Sequence, residues 1–201
     1  MKYFIFDMGG VLKKSSTSSN YFRKKIATYA NSDDPETKKM LEEKYTKYMA
    51  GLISTEQYVN SVGPYLNKKN MSASEFKREF LFVNKKYGEL FENTNYIIDM
   101  LKEKGYKVYL LSNLIEYAYL GFKDLFDVNK FDKVYLSYEL HLLKPDKKLY
   151  SYVINDINTD PKNIYFFDDN KLNVTSAKKC GINAICTTGD NLLNEINKII
   201  K

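Results

Sequence analysis

A chain of 201 residues, 44% hydrophobic and 28% charged, is sized for one large domain or one domain with an insert, and its apolar fraction excludes a disordered tail protein. Its net charge of +6 comes from lysines interleaved with glutamates, as at Lys38, Lys39, Glu42, Glu43 and Lys44, which reads as a solvated surface and excludes a basic nucleic-acid stripe. Two cysteines, Cys180 and Cys186, exclude a disulfide framework, and no apolar run approaches the roughly 20 residues of a membrane span.

Lys2 to Asp7 is a short apolar run ending in a carboxylate, followed by Met8-Gly9-Gly10-Val11-Leu12. It reads as a buried strand entering a glycine turn, where backbone N–H groups can approach a ligand. Asp7 interrupts the run too early for a secretory leader, so a cytoplasmic setting is expected. From about residue 15 to residue 87 the apolar period becomes helical: Tyr21, Phe22, Ile26 and Tyr29; Met40, Leu41, Tyr45, Tyr48 and Met49; Tyr58, Val59 and Val62; Phe76, Phe80 and Val83. Pro35 and Gly51 punctuate this stretch, and Ser54-Thr55-Glu56 and Ser72 to Glu75 have the form of helix caps. Three or four amphipathic helices and no strand are predicted there.

The pattern then alternates. A helix over 96–104 stops at Gly105, and a strand covers 107–112. Another strand covers 133–136, a helix follows Pro145, and a strand over 164–167 ends in Asp168-Asp169-Asn170. A helix over 171–179, a strand over 182–186 and a helix over 191–199 complete the chain. Alternating strands and helices predict an α/β fold, a parallel sheet covered on both faces in three Rossmann-like layers. Its expected domains are a core of residues 1–13 and 95–201 and a helical insert of residues 14–94.

In an open parallel sheet, ligands sit at the carboxyl ends of the strands. There the sequence places Asp7, Ser112-Asn113, Lys144 and Asp168-Asp169. Three carboxylates in one cleft raise one another's pKa values, and one lysine cannot neutralise them. A dication can, and oxygen-only ligands favour Mg²⁺. With Lys144 and the amides of Met8, Gly9 and Asn113 it would cradle a phosphoryl group, and Asp7 could attack the phosphorus in line.

These segments resemble the haloacid dehalogenase superfamily. Phe4-Ile5-Phe6-Asp7-Met8-Gly9-Gly10-Val11-Leu12 is similar to its first motif, Leu110-Leu111-Ser112-Asn113 to its second and Leu143-Lys144-Pro145 with the following residues to its third. Phe166-Phe167-Asp168-Asp169-Asn170, with Asn173, Ala177 and Gly181-Ile182, is similar to its fourth. The resemblance implies strand order 5-4-1-2-3 and a helical cap that closes over the sheet. It implies that Asp7 is the phosphorylated nucleophile and that the Gly9 carbonyl and Asp169 join Asp7 in ligating Mg²⁺, with Asp168 assisting. It further implies that Ser112 and Asn113 bind the phosphoryl oxygens of a small phosphorylated metabolite while Lys144 steadies the charge. The local texture is nearest the bacterial α-D-glucose-1-phosphate phosphatase subgroup. One departure stands out. Where the family's phosphatases carry an acid two residues after the nucleophile, this chain has Gly9. A positioned acid is worth about 10²–10⁴ in rate, so leaving groups that need little protonation, such as the anomeric oxygen of a sugar 1-phosphate, should suffer least.

Bland readings stand beside these. Asp7 could be a turn residue, Lys144 a solvated loop residue, and Ser112-Asn113 and Asp168-Asp169 helix caps. His141, the sole histidine, is expected in a loop, with contact to substrate or proton donation as the alternative. Cys180 and Cys186 are expected buried and inert, and Arg23 and Lys24 on a solvated helix face, with reach to a sugar phosphate as the alternative. Metal-free dehalogenation at carbon and phosphate-ligand binding without turnover are the rival functions, and a mutase is a third.

Overall fold

The computed structural model describes residues 1–14, 34–65 and 71–200; the helix expected around Tyr21, Phe22, Ile26 and Tyr29, with Arg23 and Lys24, lies outside them. Strand β1 (Tyr3–Phe6) lies between β2 (Lys107–Ser112) and β4 (Ile164–Asp168). β3 (Lys133–Leu136) pairs outside β2 and β5 (Asn183–Cys186) outside β4. All four pairings are parallel, and the order β3-β2-β1-β4-β5 is the expected one.

The sheet is buried on both faces, which is why its central strands read as unbroken apolar runs. Because side chains alternate, Phe4, Phe6, Val108, Leu110 and Phe167 cover one face. They pack beneath Ile98 and Leu101 of α4 (Thr94–Glu103) and Leu192 and Ile196 of α9 (Gly189–Ile199). Ile5, Tyr109, Leu111, Tyr135 and Phe166 cover the other face. They meet Leu149, Tyr150 and Val153 of α7 (Lys147–Ile157) and Val174 and Ala177 of α8 (Lys171–Lys179). Each large apolar side chain so buried contributes roughly 1.5–3 kcal/mol.

Between β1 and β2 lie α1 (Pro35–Met49), α2 (Thr55–Val62) and α3 (Ala73–Tyr87). The expected caps form: Ser54 with Gln57 and Ser72 with Glu75 make capping boxes, and Asp34 accepts from Thr37 N–H ahead of Pro35. The helices meet through Tyr48, Val59, Val62, Phe76 and Phe80, and Ile115 and Tyr117 from the sheet side join the same cluster. Tyr117 belongs to α5 (Glu116–Lys123). At the crossing of α3 and α5 a methyl on Gly121 would lie 2.6 Å from Asn84 Cβ, so only glycine permits this approach. The two connections to the helices run side by side: Lys14 N–H donates to Glu89 C=O at 2.8 Å and Phe91 N–H to Leu12 C=O at 3.1 Å.

Two helices have no bounds in the sequence reading. α5 follows its N-cap Ile115 without a side-chain cap, and α6 (Ser137–Leu140) is a single turn, too short to show a period. Among the described residues no helix is long and apolar enough to cross a membrane.

Candidate active site

The register brings the predicted residues together. Phe6 pairs with Phe167, and Asp7 N–H donates to Phe167 C=O at 2.9 Å, so Asp7 and Asp168 stand side by side at neighbouring strand ends. From the other neighbour, β2, Ser112 Oγ donates to Asp7 Oδ1 at 2.8 Å. The Lys144 ammonium reaches the same oxygen at 2.8 Å and Asp168 Oδ2 at 2.7 Å, and donates to Leu111 C=O at 3.1 Å. Its side chain is only 1% exposed, so it is no solvated loop lysine.

Two side chains turn out to hold others in place. Asn113 grips the backbone of Lys144: its Nδ2 donates to Lys144 C=O at 2.8 Å and its Oδ1 accepts Lys144 N–H at 2.9 Å. With both ends of that side chain on Lys144, the phosphoryl contact expected of Asn113 would fall to its backbone N–H. The capping reading of Ser112-Asn113 fails, since α5 starts without a side-chain cap. Asn173 Nδ2 lies 3.1 Å from each oxygen of Asp168, and Asn170 N–H donates to Asp168 Oδ1 at 2.8 Å. Asn170, and neither aspartate, caps α8 by accepting from Leu172 N–H. The sequence displays Asn173 within its motif, but its role follows from the helical turn that carries it back over Asp168.

The glycine turn completes the rim. A methyl on Gly10 would lie 2.1 Å from Asp169 Oδ2, so this carboxylate rests directly on the turn, and Gly10 has φ of +79°. Lys13 N–H donates to Met8 C=O and Gly10 N–H to Lys13 C=O, each at 2.8 Å. That pattern leaves the Gly9 N–H and carbonyl outside it, and among the described residues no backbone N–H donates to Gly9 C=O. The Met8 side chain is buried in the apolar core, so Met8 offers the site its backbone alone.

Asp7, Asp168 and Asp169 can each offer one oxygen, all within 4.8 Å of one another. Burial raises the Asp7 carboxyl above its usual range and the Asp168 charge adds to this, while Lys144 and Ser112 act against it. Burial and Asp168 likewise raise Asp169. Burial alone would lower the Lys144 ammonium, but Asp7 and Asp168 overrule it and hold it charged. Three carboxylates against one ammonium leave surplus negative charge among oxygen donors, which fits a hard divalent cation.

The remaining predicted residues lie elsewhere. His141 Nδ1 is 2.9 Å from Ala50 C=O, at the end of α1, and no hydrogen bond joins the ring to Asp7, Ser112, Lys144 or Asp168. Cys180 packs against the core but is only partly buried, where full burial was expected. Cys186 is exposed, because it ends the edge strand β5.

The model of the haloacid dehalogenase-like hydrolase family matches residues 4–187. The chain belongs to this family. A haloacid dehalogenase family enzyme of Bacteroides thetaiotaomicron, crystallised with magnesium and inorganic phosphate, is 26% identical with a TM-score of 0.72, the match covering 92% of this chain and 93% of that one. A Porphyromonas gingivalis protein described as a predicted HAD-like family hydrolase shares the fold, with a TM-score of 0.76 and 22% identity over 100% of this chain and 98% of that one. A drimenol cyclase of Aspergillus calidoustus is 37% identical over 82 residues, 39% of this chain, and the match spans only 15% of that protein's length.

Proposed function

We propose that this hydrolase is a Mg²⁺-dependent phosphomonoesterase that works through an aspartyl phosphate on Asp7. The observation that carries this reading is the convergence of the Asp7, Asp168 and Asp169 carboxylates around one buried ammonium. The complex of the Bacteroides thetaiotaomicron relative with magnesium and phosphate supports it. Asp7, the Gly9 carbonyl and Asp169 would hold the ion, with Asp168 held alongside by Asn173 and Lys144. When bound, Mg²⁺ neutralises the carboxylates and the phosphoryl oxygens.

Ser112 and Lys144 both engage Asp7 Oδ1, which fixes the carboxylate and leaves Oδ2 to attack phosphorus. The P–O bond to the leaving group breaks as the Asp7–phosphorus bond forms. Lys144 and the amides of Met8, Gly9 and Asn113 would oppose the charge that develops on the phosphoryl oxygens. Water then attacks phosphorus, inorganic phosphate departs, and the Asp7 carboxylate is regenerated. Gly9 offers no side-chain acid, so the leaving oxygen takes its proton from water. Sugar 1-phosphates and aryl phosphates are therefore favoured over alkyl phosphates. The helical insert is the cap that closes over the departing group.

The test is a panel of sugar phosphates, nucleotides, phosphoglycolate and an aryl phosphate, with Mg²⁺ and with EDTA, beside Asp7→Asn. We expect Mg²⁺-dependent phosphate release, abolished by the substitution and greatest for sugar 1-phosphates and aryl esters. Chloride release from a 2-haloacid in EDTA would replace this reading with dehalogenation. Mg²⁺-dependent binding of a sugar phosphate without turnover would replace it with ligand binding alone.

A further inference from the structure

His141 occupies a backbone position that few residues with a side chain adopt. Its φ of 56° is left-handed, and it closes the single turn of α6. Glycine adopts that conformation without penalty, whereas a side chain with a Cβ is disfavoured there. Histidine tolerates this conformation better than most residues with a side chain, so the backbone admits it, and what the ring touches gives it a role.

The ring meets the end of another helix. α1 terminates at Met49, and the carbonyls of a helix's last turn lack partners within the helix. Two of these are met from α6: Ser137 Oγ donates to Met49 C=O at 2.7 Å, and His141 Nδ1 lies 2.9 Å from Ala50 C=O. A carbonyl can only accept, so Nδ1 carries the proton in this contact. Gly51, with φ of +64°, follows at once, and a methyl there would lie 2.1 Å from Tyr138 C=O. The bend from α1 into α2 is thus seated on α6 at three successive residues. A further link comes from α5: Thr55 Oγ1 lies 2.9 Å from Tyr48 OH and 3.0 Å from Tyr117 OH.

α6 sits on the rim that bears the chemistry. It follows β3 directly, and three residues beyond His141 the chain reaches Lys144, fixed by Asn113 and by the carboxylates of Asp7 and Asp168. The stretch from His141 to Lys144 therefore grips the helical insert at one end and the carboxylate cluster at the other.

We propose that His141 is a positioning residue that seats the α1–α2 bend of the insert on the catalytic rim and so sets the wall against which the leaving group lies. The kinetic half of this proposal rests on the phosphomonoesterase reading; the seating itself does not.

The test is His141→Gly, which removes the ring and relieves the backbone. Amide hydrogen exchange is read without substrate, across 50–55 and across the central strands. We expect exchange in 50–55 to accelerate roughly three- to tenfold, the worth of one hydrogen bond, with the strands and the melting temperature unchanged or improved. For an aryl phosphate we expect KM to rise by a similar factor while kcat and the inhibition constant of inorganic phosphate hold, since free phosphate touches the rim but not the insert. A merely structural defect would move all of these together. Unchanged exchange in 50–55, or KM and phosphate inhibition shifting in step, overturns the proposal. Should His141→Gly not fold, His141→Asp read the same way decides it, because aspartate also tolerates a left-handed φ but, as a carboxylate, cannot donate to Ala50 C=O. If the wild-type protein releases no phosphate from any ester, the functional reading falls and the exchange measurement still decides the seating.

Discussion

Asp169 rests on Gly10 so closely that no β-carbon fits beneath it. Gly10→Ala would have to push this carboxylate away from Asp7 and Asp168, and would also force alanine into a positive φ of 79°. The expected outcome is a tenfold or greater loss of Mg²⁺ affinity, on the order of 1.4 kcal/mol or more, read by titrating Mg²⁺ into the activity assay and by calorimetry. Asn173→Ala removes the amide shared by both oxygens of Asp168 and is expected to cost about 10–100-fold in activity or metal affinity, as loss of an outer-shell partner typically does. The site was legible in the sequence where residue type alone states the chemistry: Asp7, Ser112, Lys144, Asp168 and Asp169 all converge. What could not be read was direction. An asparagine offers donor and acceptor to whatever lies nearby, and nothing in Ser112-Asn113 tells that the amide turns back onto the Lys144 backbone.

At the scale of elements, the paired linkers carry a buried cation. Lys13 is buried, and its ammonium lies 2.5 Å from Asn84 Oδ1 of α3, a neutral acceptor. Burial lowers its pKa to about 8 from an ordinary 10.5. Between those values the unfolded chain binds more protons than the folded one, so this group makes stability rise with pH from about 8 to about 10.5, and its cost is fully present below pH 8. Lys13→Met should therefore be more stable than wild type at pH 7, by about 1–2 kcal/mol after Asn84 loses its partner. That advantage should shrink toward pH 10 in urea melts of both proteins. The elements themselves were largely legible, because a sheet covered on both faces leaves long apolar runs and the serine caps announce α2 and α3. α5 and α6 were not, since one lacks a cap and the other is one turn long. Both are dictated by where the strands end, a tertiary fact.

At the scale of the molecule, the helical insert shares a core with the sheet side. Ile115 and Tyr117 enter the same cluster as Tyr48, Phe76 and Phe80. Loss of Phe76 should thus be felt throughout: Phe76→Ala is expected to cost about 3–5 kcal/mol in a single transition, with far-UV circular dichroism and tyrosine fluorescence superimposing. Separate transitions would show the insert melting alone. The sheet order has a further result for how the protein is made. β1 sits at the centre of the sheet, yet its partners are contributed by Lys107 and Ile164, more than a hundred residues further along. During translation at about 5–20 residues per second, an apolar Tyr3-Phe4-Ile5-Phe6 segment waits on the order of 10–30 s outside the ribosome before its second neighbour exists. A nascent chain of this topology has to be shielded by its own helices or by a chaperone over that interval, and the helices that follow β1 in the sequence are the first surface available to do it.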